Sequence, residues 1–470
     1  MSNNGSASST PVSLIPARSV KIYAREASGR YTNWRWAAVW LTQLVYFGLP
    51  WLSWNGRPAV LFDLAARKFY LFGLVLWPQD FIYLAGLLML CAGLLFLLSA
   101  LAGRVWCGFA CPHTVYTGIF MWIEHRIEGN RSARIRLDKQ PPSLAKALKK
   151  AGKHAAWILV ALWIGITLVA YFTPMQTLLQ EIAALSLGPW QLFWILCYGG
   201  LAYLNAGWMR EQFCKHICAY ARFQSVMFDR DTLLITYDPV RGEPRGVRRT
   251  WRRGAGPVLG DCIDCSVCVQ VCPSGIDIRN GLQYECIDCA ACVDACDAVM
   301  DKIGKPRGLI RYTSENGMRQ GLSAQQLRLR LLRLRVLIYS GLLAAGLALY
   351  VGSLAMRVPL KLDVIADRGV MARITEDGSV ENVYRLQVMN TDEKPHAYRI
   401  AISGVAGIAL ASEGLVEVAA ASTQSVPVRV QAGEGTGQPG ANPIRFELVA
   451  QDEPAIRVDA PASFFLPPHE

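Results

Sequence analysis

Residues 260–297 read GDCIDCSVCVQVCPSGIDIRNGLQYECIDCAACVDACD, and the rest of the chain is interpreted outward from this stretch. Cys262, Cys265, Cys268 and Cys272 follow the spacing C-x2-C-x2-C-x3-C, with Pro273 next, and Cys286, Cys289, Cys292 and Cys296 repeat it. Eight of the fourteen cysteines therefore lie in one short segment, in two copies of one pattern. A cubane 4Fe–4S cluster needs four converging thiolates. A closely spaced triplet wraps three corners, and the last cysteine of the other copy supplies the fourth. The pattern assigns Cys262, Cys265, Cys268 and Cys296 to one cluster and Cys272, Cys286, Cys289 and Cys292 to the other. C-x2-C pairs also suit tetrahedral zinc, but zinc leaves the repeated triplet and its fourth cysteine unexplained. A disulfide framework suits a secreted chain, whereas residues 1–35 are polar, Ser-rich and basic, with no apolar signal core.

The 470 residues are 52% hydrophobic and only 18% charged, with a net charge of +12. Five uncharged stretches approach the roughly 20 residues that cross a bilayer: 36–54, 81–103, 155–171, 187–209 and 336–356. Buried helices of a soluble core would not supply five such runs. A sixth, 105–123, is parted from the second by Arg104 alone. A hairpin cannot turn back on one residue, so this run is expected to be interfacial or re-entrant. Lys and Arg number five in 1–35, three in 55–80, ten in 104–154, none in 174–186 and twenty in 210–335. By the positive-inside rule the N-terminus and the ferredoxin segment are cytoplasmic, in a bacterial inner membrane, and the C-terminal region is periplasmic. All cysteines precede residue 300, which keeps labile thiolates on the reducing side. The expected organisation is a 1–35 tail, a 36–209 four-helix membrane domain, a 210–255 segment with a basic linker, a 256–312 two-cluster ferredoxin domain of bacterial type, a fifth helix at 336–356, and a 357–470 domain.

In 357–470 apolar and polar residues alternate at 383–388, 398–402, 416–418, 425–430 and 445–449, between Gly, Pro, Asn and Asp turns. Such period-two runs predict an antiparallel immunoglobulin-like β-sandwich. It shows no catalytic constellation and reads as a docking module or a stabilising cap.

A second cysteine set flanks the membrane runs. Arg104 precedes Cys107-x3-Cys111-Pro112-His113, and Arg210 precedes Cys214-x3-Cys218, with His216 between them. If locally helical, cysteines four apart share a face and stand too far apart for an unstrained disulfide. Metal ligation, or pairing between the two motifs, is then more natural than an internal bridge, and four thiols near His113 and His216 suit a soft ion such as Cu(I). A third cluster and plain packing of buried thiols remain alternatives. Cys91 and Cys197 read as helix packing. Arginines at 245–253 suit anionic lipid headgroups, and the basic run 328–335 has the ordinary positive-inside reading. Neither points to nucleic acid.

The stretches 103–129 (GRVWCGFACPHTVYTGIFMWIEHRIEG), 205–246 and 260–317 resemble the cytochrome c oxidase accessory protein family CcoG, also called FixG or RdxA. The resemblance covers nearly the whole chain. It implies a protein that assembles cbb3-type haem–copper oxidases by reducing Cu(II) to Cu(I), a cupric reductase with two 4Fe–4S clusters and copper as substrate. It carries the cluster-ligand role to the eight ferredoxin cysteines, and Cys107, Cys111, Cys214 and Cys218 match the family's membrane motifs, the expected copper site. Oxidase assembly factors or copper chaperones are the implied partners, and a homo-oligomer is compatible. The family's second motif ends in proline where this chain has Ala219, which questions the shape of that turn. A quinol-linked conduit and a non-catalytic assembly scaffold are the competing readings.

Overall fold

The computed structural model describes residues 21–246, 259–322, 324–330, 332–367, 372–376, 378–433 and 436–467. Most of the basic run at 245–253 lies outside them. The chain divides into two compact units, one of residues 1–39, 98–159 and 203–331, the other of 40–97, 160–202 and 332–470.

The first unit gathers the cysteine-bearing segments. Its ferredoxin core packs Ile235, Tyr237, Cys262, Cys268, Ile278, Ala290, Val293, Met300, Leu309 and Ile310 together. Strand Leu234–Tyr237 pairs antiparallel with Ile310–Thr313, Leu234 opposite Thr313. The core thus draws on residues well before position 256, within the stretch expected to be a linker. Each cysteine triplet bends through two left-handed residues at matching positions, Asp264 and Ser266 in one copy and Asp288 and Ala290 in the other. Left-handed backbone at non-glycine residues costs about 1–3 kcal/mol each, and here it curls each triplet inward. Helices Val267–Val271 and Ala291–Lys302 follow the two turns. Asp294, between Cys292 and Cys296, accepts from the Tyr31 and Thr32 backbone N–H groups at 3.1 and 2.7 Å, holding the start of helix Arg30–Gly48 against this core.

The run expected to be interfacial folds as helix Val105–Phe109, a break, and helix Pro112–Glu128. The second of these buries Val115, Phe120, Ile123, Glu124 and Glu128 within the unit. Buried Glu124 is compensated by Arg210 at 2.8 Å and Arg134 at 3.3 Å, as a charge removed from water requires.

The second unit holds the sandwich. One sheet runs Ile408–Leu410, Thr423–Ala432, Val380–Asn390, Leu360–Ala366, with Arg373–Ile374 added beside Val380–Asn390. The other runs Leu415–Val418, His396–Ser403, Gly440–Ala450, Arg457–Leu466. Tyr384, Leu386, Val388, Tyr398, Val428, Phe446 and Phe464 fill the space between, almost fully buried. Each large apolar side chain removed from water there is worth about 1.5–3 kcal/mol.

Among the described residues, three helices are long and apolar enough to cross a membrane: Pro78–Ala102, Leu144–Val169 and Leu334–Ala355. Five were expected. The run at 36–54 instead belongs to helix Arg30–Gly48, which starts among polar residues and gives way to a 3-10 turn containing Pro50. The run at 187–209 is helix Pro189–Tyr203, continued by a π-helical turn Leu204–Met209. Its Gly199 lies close to the Ala161 carbonyl, so that a Cβ there would sit 2.9 Å from it, and Gly86 meets Tyr350 between helices Phe81–Ala102 and Leu334–Ala355. Small residues at helix contacts are the usual device of membrane packing. Cys91 and Cys197 are exposed on their helices rather than packed against neighbours.

Residues 55–80, expected to be a plain loop, form a hairpin at Asn55–Gly56 and a three-stranded meander, Val60–Asp63, Lys68–Leu71, Leu74–Leu76. Val75 and Trp77 pack on Met389 of the sandwich. Glu393 takes Arg57, and Asp80 takes Arg357 and Lys361, so charged partners pin both ends of the loop to the sandwich.

Candidate metal centres and the cysteine motifs

Two cavities open inside the ferredoxin core. Cys262, Cys265, Cys268 and Cys296 line the first, beside Tyr237 and Arg279. Cys272, Cys286, Cys289 and Cys292 line the second, and Cys268 borders it too. The structure therefore gathers the two four-cysteine sets that the spacing predicts, with the last cysteine of each copy crossing to the other. Burial pushes the Cys268 and Cys272 thiols up to about 11 and Cys296 up to about 12, and holds Cys286 and Cys292 well above the usual thiol range. A metal centre would supply the positive charge that lets such thiols ionise at neutral pH. Four cysteines lining each of two cavities are, by the chemistry of the donors, a set that suits a 4Fe–4S cluster.

The two C-x3-C motifs share one local geometry, which neither matches a continuous helix nor depends on proline. In each, the first cysteine sits in a single helical turn, Val105–Phe109 or the π-turn Phe213–Ile217. The second cysteine leaves helical conformation and caps the next helix, at φ −59°, ψ 126° for Cys111 and φ −69°, ψ 106° for Cys218. Its N–H reaches back to the carbonyl just before the first cysteine, Cys111 to Trp106 and Cys218 to Phe213, both at 2.9 Å. Pro112 and Ala219 occupy the first helical position after it. Proline is favoured there because no N–H is needed and φ is preset, and alanine is the best helix former. The Ala219 turn accordingly keeps the shape of the Pro112 turn.

Cys107 lies within electrostatic reach of Cys111, Cys214 and Cys218, and Cys214 within reach of Cys111 and Cys218. Burial, then Cys111, with smaller contributions from Cys214 and Cys218, pushes Cys107 up to about 12, while Arg104 opposes the rise. Burial together with Cys111 and Cys218 lifts Cys214 to about 11, again against Arg104. Among the described residues, no three or more His, Cys, Asp or Glu side chains close around a single point as a one-ion site. His113 lines a cavity with Cys214, whereas His216 is exposed.

Arg104 and Gln224 organise the set; sequence reasoning takes Arg104 only as a break between apolar runs ahead of the first motif and does not use Gln224. The Gln224 side chain is fully buried and donates to Ser99 Oγ at 3.0 Å and the Gly103 carbonyl at 2.7 Å, while its Oε1 accepts from Cys107 Sγ at 3.4 Å. The Arg104 guanidinium donates to the carbonyls of Tyr284, Cys286 (3.3 Å) and Ala221 (2.6 Å), and its backbone N–H to Asp288 at 2.9 Å. One buried cation thus ties the first motif to the second and to the loop of the second cysteine triplet. Beside it, Gly108 lies flat against Ile287, Asp288 and Cys289: a Cβ there would sit 2.6–2.9 Å from their backbone atoms. A lone charge between two apolar runs was the available signal for Arg104, but its partners are about 180 residues away.

Comparison with known proteins adds the family. Residues 209–315 match the model of a 4Fe–4S dicluster domain, 84–130 that of a 4Fe–4S binding domain, and 350–467 that of the Ig-like fold at the C-terminus of FixG. The chain is 39% identical to RdxB of Cereibacter sphaeroides over 452 residues, 93% of this chain and 94% of that one. It is 36% identical to the nitrogen fixation protein FixG of Rhizobium meliloti, covering 95% and 93% of the two chains. The chain belongs to the FixG/RdxA family. RdxA of Cereibacter sphaeroides is 39% identical over 427 residues, 88% of this chain and 90% of its own. As a FixG/RdxA member with two 4Fe–4S-binding regions and an Ig-like tail, the chain is an iron–sulfur electron-transfer protein.

Proposed function

We propose that this FixG/RdxA protein is a membrane-bound cupric reductase that reduces Cu(II) to Cu(I) for assembly of a cbb3-type oxidase. Cys262, Cys265, Cys268 and Cys296 would hold one 4Fe–4S cluster and Cys272, Cys286, Cys289 and Cys292 the other. Bound clusters supply reversible one-electron transfer, recharged by an external reductant. Cys107, Cys111, Cys214 and Cys218 receive the copper ion, for which soft thiolates suit the reduced state. The observation that carries the reading is the seating of Gly108 and Arg104 directly on residues 284–289, which puts the copper motif in contact with the loop of the second cysteine triplet. Arg104 sets a fixed positive charge beside the motif thiols and favours their anionic form.

The same reading places five helices across the inner membrane, with the cysteine segments in the cytoplasm and residues 357–470 in the periplasm. The packing of residues 55–80 on the sandwich supports it, because both segments should then emerge on one side. The sandwich would be the docking face for an oxidase assembly factor or a copper chaperone. The test uses Cys107→Ser/Cys111→Ser in the full chain. The variant should keep both cluster signals by electron paramagnetic resonance and lose cluster reoxidation by Cu(II); reoxidation at the wild-type rate would remove copper from this motif.

A further inference from the structure

Helix Ala219–Met227 begins at the second motif, with Cys218 as its cap, and the function above leaves the helix itself unused. Its inner face is anchored. Ala221 and Gln224 are buried, Gln224 donates to Ser99 Oγ and the Gly103 carbonyl, and the Tyr220 hydroxyl meets Ser99 Oγ at 2.8 Å. Just after the helix, Thr232 Oγ1 donates to the Ala100 carbonyl at 3.3 Å and the Leu233 N–H to the Leu101 carbonyl at 3.2 Å. The segment therefore rests on the last turn of helix Phe81–Ala102 and the residue that follows it. That position has a depth. A hydrocarbon core about 30 Å thick is crossed by about 20 helical residues. Counted from Phe81, that length ends near Ala100. Headgroups add about 5–8 Å on each side, so a helix resting on Ser99 and Gly103 lies in the headgroup layer.

The outer face has the composition that layer selects. At 100° per residue, Ala219, Arg222, Phe223 and Val226 fall on the side opposite Ala221 and Gln224. All four are exposed, Phe223 at 69% and Val226 at 85%. Ile217, just before the cap, is exposed as well. Single exposed apolar residues are ordinary on a soluble surface, but these share one face at a height set by a membrane-length helix. Arg222 on that face and Arg230 beyond it, both exposed, match anionic headgroups. We propose that helix Ala219–Met227 is a membrane-surface anchor, whose Ala219–Phe223–Val226 face docks into the headgroup layer of a bilayer containing anionic lipid. Docking holds Cys218 at a fixed depth. Through the Arg104 guanidinium, which bonds the carbonyls of both Ala221 and Cys286, it also steadies the loop of the second cysteine triplet. The anchor requires that helix Phe81–Ala102 crosses the bilayer, as read above, and does not depend on copper.

The experiment reconstitutes the full-length, cluster-loaded protein in vesicles of phosphatidylethanolamine and phosphatidylglycerol, with a benzophenone amino acid replacing Val226, Met89 or Lys302. Met89 is exposed on helix Phe81–Ala102 and Lys302 is exposed on the ferredoxin core. Irradiation links the benzophenone to what it touches, and mass spectrometry reads the adducts. Position 226 should link to lipid near its headgroup, position 89 to acyl chains, and position 302 to no lipid. Phe223→Asp, a change at an exposed site, should cut the lipid adduct at position 226 by about tenfold with cluster absorbance unchanged. Lipid adducts at 89 with none at 226, or links from 226 to protein or a second copy of the chain instead, overturn the anchor and leave the span. Adducts at 226 that ignore Phe223→Asp, or equal ones at 302, overturn it too. Adducts at 226 without any at 89 remove the span and leave a surface contact standing; absence at both removes both.

Discussion

Gly108→Ala is the sharpest perturbation of the contact on which the account rests. The added methyl would stand 2.6 Å from the Ile287 carbonyl oxygen and 2.9 Å from both the Asp288 oxygen and Cys289 Cα. All three are backbone atoms in a loop already holding two left-handed residues, so none can rotate aside. Restoring ordinary contact needs a withdrawal of roughly 0.8 Å, and overpacking of this kind costs about 1–3 kcal/mol. At 2 kcal/mol the ratio of seated to unseated motif falls by a factor of about 30. Gly341→Ala, in helix Leu334–Ala355 with nothing within 4 Å of the new Cβ, is the control. Cluster absorbance during thermal unfolding and cluster reoxidation by Cu(II) should both deteriorate in Gly108→Ala and hold in Gly341→Ala. A Gly108→Ala protein equal to wild type in both would refute the direct seating of the motif on this loop.

Arg104→Met should strand the Tyr284, Cys286 and Ala221 carbonyls and cost about 3 kcal/mol, read as cluster bleaching at lower temperature; an unchanged transition contradicts the bridging role. Asp80→Asn leaves Arg357 and Lys361 facing each other without their carboxylate. A loss of about 3 kcal/mol should then expose residues 55–80 to added protease, and wild-type resistance would count against it. His396 is buried between Asp392 at 3.2 Å and Asp452 at 2.6 Å. Burial alone would lower its pKa, but the two carboxylates outweigh burial and raise it above the usual 6.5. Its stabilising contribution is therefore complete below about pH 6.5 and is lost as pH rises through the raised value. Hydrogen exchange in strand His396–Ser403, corrected for intrinsic rate, should quicken from pH 6 to pH 8 in wild type and stay flat in His396→Gln; parallel profiles would remove the clamp.

The ferredoxin core was legible because its chemistry is written as spacing. Three-residue steps and a crossed fourth ligand give two sets of four thiols, and each set lines one cavity, with Cys268 lining both. The sandwich was legible from alternation, for instance Tyr384, Leu386 and Val388 inward with Arg385 outward. Strands Leu360–Ala366 and Arg457–Leu466 alternate as well, with Lys361, Asp363, Asp459 and Ser463 between their apolar residues, so the same signal covers them, and only Pro461 argues against a strand there. The meander before residue 80 was missed although Asn55–Gly56 is a strong hairpin signal, with both residues at positive φ; neighbouring apolar runs drew the reading toward membrane helices. A shared helix face for the C-x3-C cysteines holds only if the motif is locally helical, whereas the helix is interrupted at Cys111 and at Cys218, which makes each second cysteine a helix cap. Arg104 and Gln224 acquire meaning only through partners far along the chain, which no local pattern records.

The most direct test of the central claim counts electrons. The purified wild-type protein, its clusters reduced and excess reductant removed without oxygen, is mixed with Cu(II) while cluster absorbance and a Cu(I)-specific chromophore are followed together. The clusters should reoxidise at the rate at which Cu(I) appears, with one Cu(I) formed per electron lost. Clusters that stay reduced in excess Cu(II) would contradict it.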